Sequence, residues 1–222
     1  MNLFNGDCLE VLKTFEDNSV DCVFTSPPYN IKRTKGNKYH KYDFDKFEDN
    51  KVNYLEWSIE VIDQLLRVSK THVFWNIQAN YYNKKDVHKL IGHYANKIQQ
   101  NIIWHKPVNY IPSSQHYYIS NVYEYILGIT NSKYIRSNEI FTKNHIDVPG
   151  YHKNRGKFNA VMHPDVADFI IDHFTQPNDI VLDPFMGSGT TGISCKKYGR
   201  DFIGIELVPE YYEGAKERIE DW

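Results

Sequence analysis

The chain has 222 residues, 41% of them hydrophobic and 15% aromatic, enough to bury the core of one domain and too apolar for a disordered chain. Three cysteines, Cys8, Cys22 and Cys195, with no C-x-x-C pair, exclude a disulfide framework and a structural zinc site, and no run approaches the roughly 18 apolar residues of a membrane span. The formal net charge of −2 would argue against a polyanion partner, but Lys32 to Lys46 and Asn131 to Asn159 each hold six basic and two acidic residues.

Removing those twelve basic and four acidic residues from totals of 26 and 28 leaves 14 and 24, so two basic segments stand out from an acidic body. Interleaved with aromatics, as in "NKYHKYDF" and "GYHKNRGKF", they suit a nucleic-acid groove; solvated loops are the alternative. The start "MNLFNGDCLEVL" lacks the basic and apolar regions of a signal peptide, so a soluble, cytoplasmic protein is expected, with no membrane partner.

In chain order, "DCVF" at 21–24 reads as a strand that the prolines of "FTSPPYN" terminate, since proline has no N–H for a ladder. A stiff turn then sits at the strand's carboxyl end, the edge where open α/β sheets bind ligands. Leu55, Ile59, Ile62 and Leu66 recur at helical spacing and predict a helix over 54–69. The strand "THVFWNI" follows, with Trp75 read as core and Asn76 near the site; then come a helix over 84–96 and the strands "NIIWHK" and "VYEYILGI". Residues 131–159 have no clear period and are expected to be an inserted loop or small subdomain. Next come a helix "PDVADFIIDHF", a strand "DIVL", a tight turn into a helix "GSGTTGISCKKYG", a strand "DFIGIE" and a last helix from Pro209, a residue suited to a first helical turn. The alternation predicts a mostly parallel sheet covered on both faces.

Glycines 187, 189 and 192 spell G-x-G-x-x-G between a strand and a helix, a weak signal alone. It gains support from Glu206, which ends the next strand about 20 residues on, where a carboxylate can accept from ribose hydroxyls. A nucleoside-type cofactor is expected. So few residues follow the motif that the missing strands must come from the N-terminal part of the chain, a permuted arrangement.

Taken together, "DPFMGSGTT", "FIGIE", the upstream "TSPPYN" and the N-terminal "NGDCLEVL" resemble the S-adenosylmethionine-dependent DNA amino-methyltransferases, which act on cytosine N4 or adenine N6. The order, catalytic motif first and cofactor motif last, is similar to their permuted β class. The resemblance implies a single α/β catalytic domain over 1–222: a Rossmann-like, mostly parallel sheet with helices on both faces in the circularly permuted methyltransferase arrangement, with a target-recognition insertion around 107–159. It implies that Asp183, Phe185, Gly187, Gly189, Thr190 and Thr191 line the methionine end of S-adenosylmethionine, that Glu206 holds the ribose and that Asp7 lies beside the adenine. For Asp7 a helix cap is the competing reading.

Exocyclic amino groups are poor nucleophiles because their lone pair is delocalised into the ring. Acceptors that bind the amino hydrogens can turn that lone pair toward a methyl donor. Pro27 and Pro28 fix the turn and remove competing N–H groups, so Ser26 Oγ and the Pro27 carbonyl are the expected acceptors. Tyr29 is expected to stack on a base flipped out of the duplex. Catalysis is then mostly positioning, with acceptors arranged for positive charge developing at nitrogen. Ser26 is too weak a base to keep the released proton, so water or another group must take it. A serine at the head of this turn resembles the cytosine N4 enzymes more than the adenine N6 ones, although Asn30 also resembles the latter. The ten histidines show no metal-ligand spacing, and the chemistry needs no metal.

The expected partner is double-stranded DNA, bound through 32–46 and 131–159, with a homodimer and a cognate restriction endonuclease left open. Three alternatives also stay open: an RNA or protein-amide methyltransferase; a dinucleotide-dependent oxidoreductase, which leaves "TSPPYN" unexplained; and an inactive DNA-binding subunit.

Overall fold

The computed structural model describes residues 1–30, 51–107, 121–132, 137–138, 143–149, 158 and 161–222. In chain order these form β1 (Asn2–Asn5), α1 (Cys8–Leu12), β2 (Val20–Thr25), α2 (Tyr54–Val68), β3 (Ser69–Ile77), α3 (Lys84–His93), β4 (Ile98–His105), β5 (Tyr123–Ile129), β6 (His145–Asp147), α4 (Pro164–Phe174), β7 (Ile180–Asp183), α5 (Thr190–Tyr198), β8 (Asp201–Glu206) and α6 (Pro209–Glu220). The strands make one sheet in the order β1-β8-β7-β2-β3-β5-β4-β6. Among the described strands only β5 runs against the rest: it is antiparallel to both β3 and β4, and all other pairs are parallel.

Alternation along the strands splits the core into two layers. Val23, Val73, Trp75, Ile77, Leu127 and Ile129 pack against α1, α2 and α3. Their neighbours Cys22, Phe24, Phe74, Ile102, Trp104 and Ile126 pack against α4 on the opposite face, where Val181 and Phe202 meet α5 and α6. Central strands buried on both faces are apolar nearly throughout, which is why "DCVF" and "DIVL" show no polar alternation. Among the described residues no helix is long and apolar enough to cross a membrane.

The permuted arrangement is present. Strand β7, near the end of the chain, pairs with β2, near its start, through Cys22 opposite Val181 and Val23 opposite Leu182. The carboxyl ends of both strands therefore open at one edge.

Three elements differ from the sequence reading. Strand β1 and helix α1 were not foreseen: β1 is a four-residue edge strand paired only to β8, and α1 is a five-residue helix started by the Asp7 cap. In α2 the buried stripe is Tyr54, Ser58, Val61, Ile62 and Leu65, so Leu55 and Ile59 sit on its margin. The range 107–159 also contains β5 and β6, both paired within the sheet. The basic segment 32–46 lies outside the described residues, as do 108–120 and much of 131–159.

Glycine 192 marks where α5 crosses β8. A Cβ there would stand 2.7 Å from Ile219 Cδ1 and 2.7 Å from Phe202 Cε1, whereas one at Gly92 in α3 would meet nothing within 4 Å. Gly192→Ala is therefore expected to destabilise the protein by about 1–3 kcal/mol through overpacking. Gly92→Ala should stabilise it by about 0.5–1 kcal/mol through helix propensity. Urea unfolding of both variants checks the opposite signs.

Candidate active site

The turn after β2 is tied down at its backbone. Tyr54 donates its hydroxyl to the Pro28 carbonyl at 2.8 Å, and the Tyr29 carbonyl accepts from the side-chain amides of Asn83 at 2.7 Å and Asn80 at 3.2 Å. Asn30 then takes φ 54°, a left-handed conformation that asparagine tolerates better than most residues. Among the described residues the Pro27 carbonyl has no such donor, so within this turn it stays open to a ligand.

Side chains of the turn point into a buried polar cluster. Tyr29 donates its hydroxyl to Glu124 Oε2 at 2.7 Å, Ser26 Oγ lies 2.9 Å from the same hydroxyl, and Lys106 Nζ pairs with Glu124 Oε1 at 2.6 Å. Asn76 Nδ2 reaches Glu124 Oε2 at 2.7 Å, the Tyr29 hydroxyl at 2.7 Å and Ser26 Oγ at 3.2 Å. The sheet explains the grouping. Asn76, Glu124 and Lys106 continue the alternation of Phe74, Ile126 and Trp104 on one face, at the edge where β3 and β4 end and β5 begins.

Counting protons assigns every role. An ionised carboxylate only accepts, so the single hydroxyl proton of Tyr29 goes to Glu124. Ser26 must then donate to Tyr29. The two amide hydrogens of Asn76 go to the nearer acceptors, Glu124 and Tyr29. One lone pair of Ser26 Oγ faces Asn76 Nδ2 at 3.2 Å, and the other remains for a donor from outside the protein. Burial pushes the Tyr29 phenol well above its ordinary value, with the Glu124 charge adding to the effect, which keeps its proton in place.

Beside this turn lies the glycine loop. Thr25, the last residue of β2, donates to Asp183 Oδ1 at 2.7 Å; Phe185 N–H donates to the same oxygen at 3.1 Å, and Thr191 donates to Oδ2 at 2.8 Å. Burial pushes the Asp183 carboxyl up to about 6 against the pull of these three donors. Gly187 and Gly189 take φ 52° and 77°, which few side chains tolerate, and Gly189 caps α5 at Thr190. Glu206 is held at the end of β8 by the N–H groups of Gly187 at 2.9 Å and Val208 at 2.8 Å, and burial raises its carboxyl above the ordinary range. Each of its oxygens keeps a further lone pair for a ligand hydroxyl. Phe185 lies between the rings of Trp57 and Trp75, at centroid distances of 5.5 and 6.2 Å.

Thus Ser26, Pro27, Pro28 and Tyr29 stand next to Asp183, Phe185, Gly187, Gly189, Thr190, Thr191 and Glu206 along one sheet edge. Asp7 caps α1, accepting from Leu9 N–H at 2.9 Å and Glu10 N–H at 3.3 Å. It also adjoins this edge, because Gly6 N–H binds the Glu206 carbonyl. Trp75 is fully buried. Sequence reasoning did not single out Thr25, Tyr54, Asn80, Asn83, Lys106 or Glu124. The available signal for Glu124 was a lone acidic residue at an inward position of the apolar run "VYEYILGI".

A family model described as DNA methylase, of the N6/N4 methyltransferase type, matches residues 20–217. Type II methyltransferase M.BglII of Bacillus subtilis is 31% identical over 96% of this chain and 67% of its own length. Type II methyltransferase M2.MboI of Moraxella bovis is 28% identical over 99% and 88%. Among solved structures, PvuII DNA methyltransferase (cytosine-N4-specific) shares the fold with a TM-score of 0.76 at 20% identity, covering 99% of this chain and 89% of that one. The M1.HpyAVI–SAM complex gives 0.67 at 26% identity over 98% of each chain.

The raised carboxyl of Asp183 has a definite sign. Its neutral form is favoured by folding, so its contribution to stability is full below the ordinary value of 3.8 and is lost as pH rises through about 6. Between about pH 4.5 and about pH 7, Asp183→Asn is expected to gain about 2 kcal/mol of unfolding free energy on the wild type. Urea unfolding of both proteins at the two pH values measures it; a constant difference would remove the burial effect.

Proposed function

The chain belongs to the DNA methylase family of N6/N4 methyltransferases, and on that premise we propose that it moves a methyl group from S-adenosylmethionine to an exocyclic amino group in duplex DNA, cytosine N4 ahead of adenine N6. The observation that carries this reading is the acceptor pair of Ser26 Oγ and the Pro27 carbonyl. They belong to a turn whose Pro28 and Tyr29 carbonyls already accept from Tyr54, Asn80 and Asn83. Two such acceptors fit the two hydrogens of an amino group and direct its lone pair away from them. The neutral serine at the head of the turn supports the cytosine lean.

The glycine edge fits the cofactor. Glu206 would accept from the ribose hydroxyls, the turn from Asp183 to Thr191 would surround the methionine end, and Asp7 would flank the adenine. When bound, S-adenosylmethionine supplies a methyl carbon activated by positively charged sulfur. The buried charge on Asp183, once ionised above about pH 6, favours a cationic ligand beside it. Ser26 grips the amino group, and the face of the half-buried Tyr29 ring would stack on the flipped base.

DNA would be held by the basic segments 32–46 and 131–159. Target recognition would belong to those parts of 107–159 outside β5 and β6. The relatives named Type II methyltransferases support a restriction–modification setting; a cytoplasmic location, a cognate endonuclease reading the same site and a second copy helping to hold the duplex belong to the same proposal.

Incubating the purified protein with unmethylated duplex DNA and S-adenosylmethionine, then digesting to nucleosides for mass spectrometry, is expected to yield N4-methylcytosine. N6-methyladenine would keep the mechanism and overturn the choice of base; neither product would overturn the reading. Tyr29→Ala is expected to abolish transfer while cofactor affinity stays within about twofold by calorimetry, the signature of a group that acts on the substrate base. Unchanged turnover would sink the stacking role.

A further inference from the structure

We propose that Glu124 is the terminal proton acceptor of a relay running from Ser26 through Tyr29, which withdraws the amino proton as the methyl group arrives. The inference rests on the amino-methyltransferase reading above and supplies the base that Ser26 cannot be.

The geometry gives the relay one direction. Tyr29 spends its proton on Glu124 at 2.7 Å, so Ser26 spends its own on Tyr29 at 2.9 Å, and the chain of donors ends on the carboxylate. Glu124 is 7% exposed, and its charge is held by Lys106 at 2.6 Å and by Asn76 at 2.7 Å. A buried ion pair is costly to keep when apolar side chains could fill the space, so its place one hydroxyl away from the catalytic serine asks for a chemical reason.

The step balances. As the amino nitrogen forms its bond to the methyl carbon, the carbon–sulfur bond breaks and its electron pair stays on sulfur. The cationic nitrogen gives one proton to Ser26 Oγ. Ser26 passes its original proton to Tyr29, and Tyr29 passes its own to Glu124 Oε2. Each hydroxyl ends neutral, and the positive charge that began on the cofactor is cancelled at Glu124. Lys106 and Asn76 keep the carboxylate in line throughout. Glu124 touches neither substrate nor cofactor, so it is a positioning and proton-accepting residue rather than a catalytic one in the strict sense.

Glu124→Gln preserves shape and removes the acceptor. Its oxygen is drawn to Lys106, which turns its amide hydrogens toward Tyr29. Tyr29 must then donate to Ser26, and that bond occupies the lone pair meant for the base. Tyr29→Phe cuts the relay while keeping the ring that stacks. Each variant is expected to lower the single-turnover methylation rate on unmethylated DNA by about 10²-fold, the usual worth of general-base help. Binding of S-adenosylmethionine by calorimetry should stay within about twofold, as should flipping of 2-aminopurine placed at the target base, since Glu124 meets no ligand and Tyr29→Phe keeps the stacking ring.

The double variant is expected to be no slower than the slower single one, because either break disables the same relay. Rate losses that multiply would overturn the proposal, as would a wild-type rate in either variant or losses matched by weaker binding. A readout without turnover tests the donor direction. The protected phenolic proton of Tyr29 should give a downfield proton resonance that is absent in Tyr29→Phe and moves upfield in Glu124→Gln. An unmoved resonance would show that Tyr29 does not donate to Glu124. Failure of the wild type to methylate DNA would instead sink the reading on which the relay rests.

Discussion

Everything at the candidate site depends on the parallel pairing of β2 with β7. The two strands lie far apart in sequence, yet Val23 faces Leu182 across the ladder, and the Thr25 hydroxyl closes on Asp183 at 2.7 Å just where both strands end. Parallel neighbours run out at the same edge, so whatever follows one strand is placed beside whatever follows the other. The proline turn and the glycine turn are therefore neighbours without being near in sequence. Chain order is irrelevant to that outcome, which is why a permuted order can serve the same chemistry.

The second constraint is that polar groups at this edge are buried and must be satisfied. Proline removes N–H donors from the turn, and Tyr54, Asn80 and Asn83 engage two of its carbonyls. What the protein leaves unsatisfied is then informative. Unpaired buried acceptors cost about 1–3 kcal/mol each, so on the proposed function the Pro27 carbonyl and the remaining lone pair of Ser26 are where a substrate would supply the missing donors. The same accounting applies to the glycine loop, where Asp183 and Glu206 are each held by hydrogen-bond donors and still carry carboxyls raised by burial.

How legible this was in the sequence depended on whether the signal was local. Turn chemistry is local: two prolines, three glycines and the terminal Glu206 announced both loops and the edge proposed to hold the cofactor. Strand type was legible where both faces are apolar, as in β2, β7 and β8. Strand β1 was not, because four residues at a sheet edge carry little pattern and are defined by their partner β8. Helix α1 was hidden by its length, although Asp7 as a cap was one of the two readings offered. Lys106 and Glu124 belong to the site through sheet register, opposite strand ends brought to one edge by the single reversed strand β5, and register is not written in any one segment.

On the proposed function, that reversed strand also accounts for a neutral serine at the head of the turn after β2. An aspartate at position 26 would bring its negative charge directly to the amino group. A serine brings none, so any charge that compensates for positive nitrogen must come from elsewhere. Because β5 runs against its neighbours, its second residue, Glu124, rises at the edge where β3 ends, and Asn76 and Tyr29 connect it to Ser26. The carboxylate sits two hydrogen bonds from Ser26 Oγ, buried and fixed by Lys106. In the proposed reaction, charge at that distance would act on the transition state through polarised hydroxyls rather than by contact, leaving Ser26 itself to select the substrate by shape and by acceptor geometry.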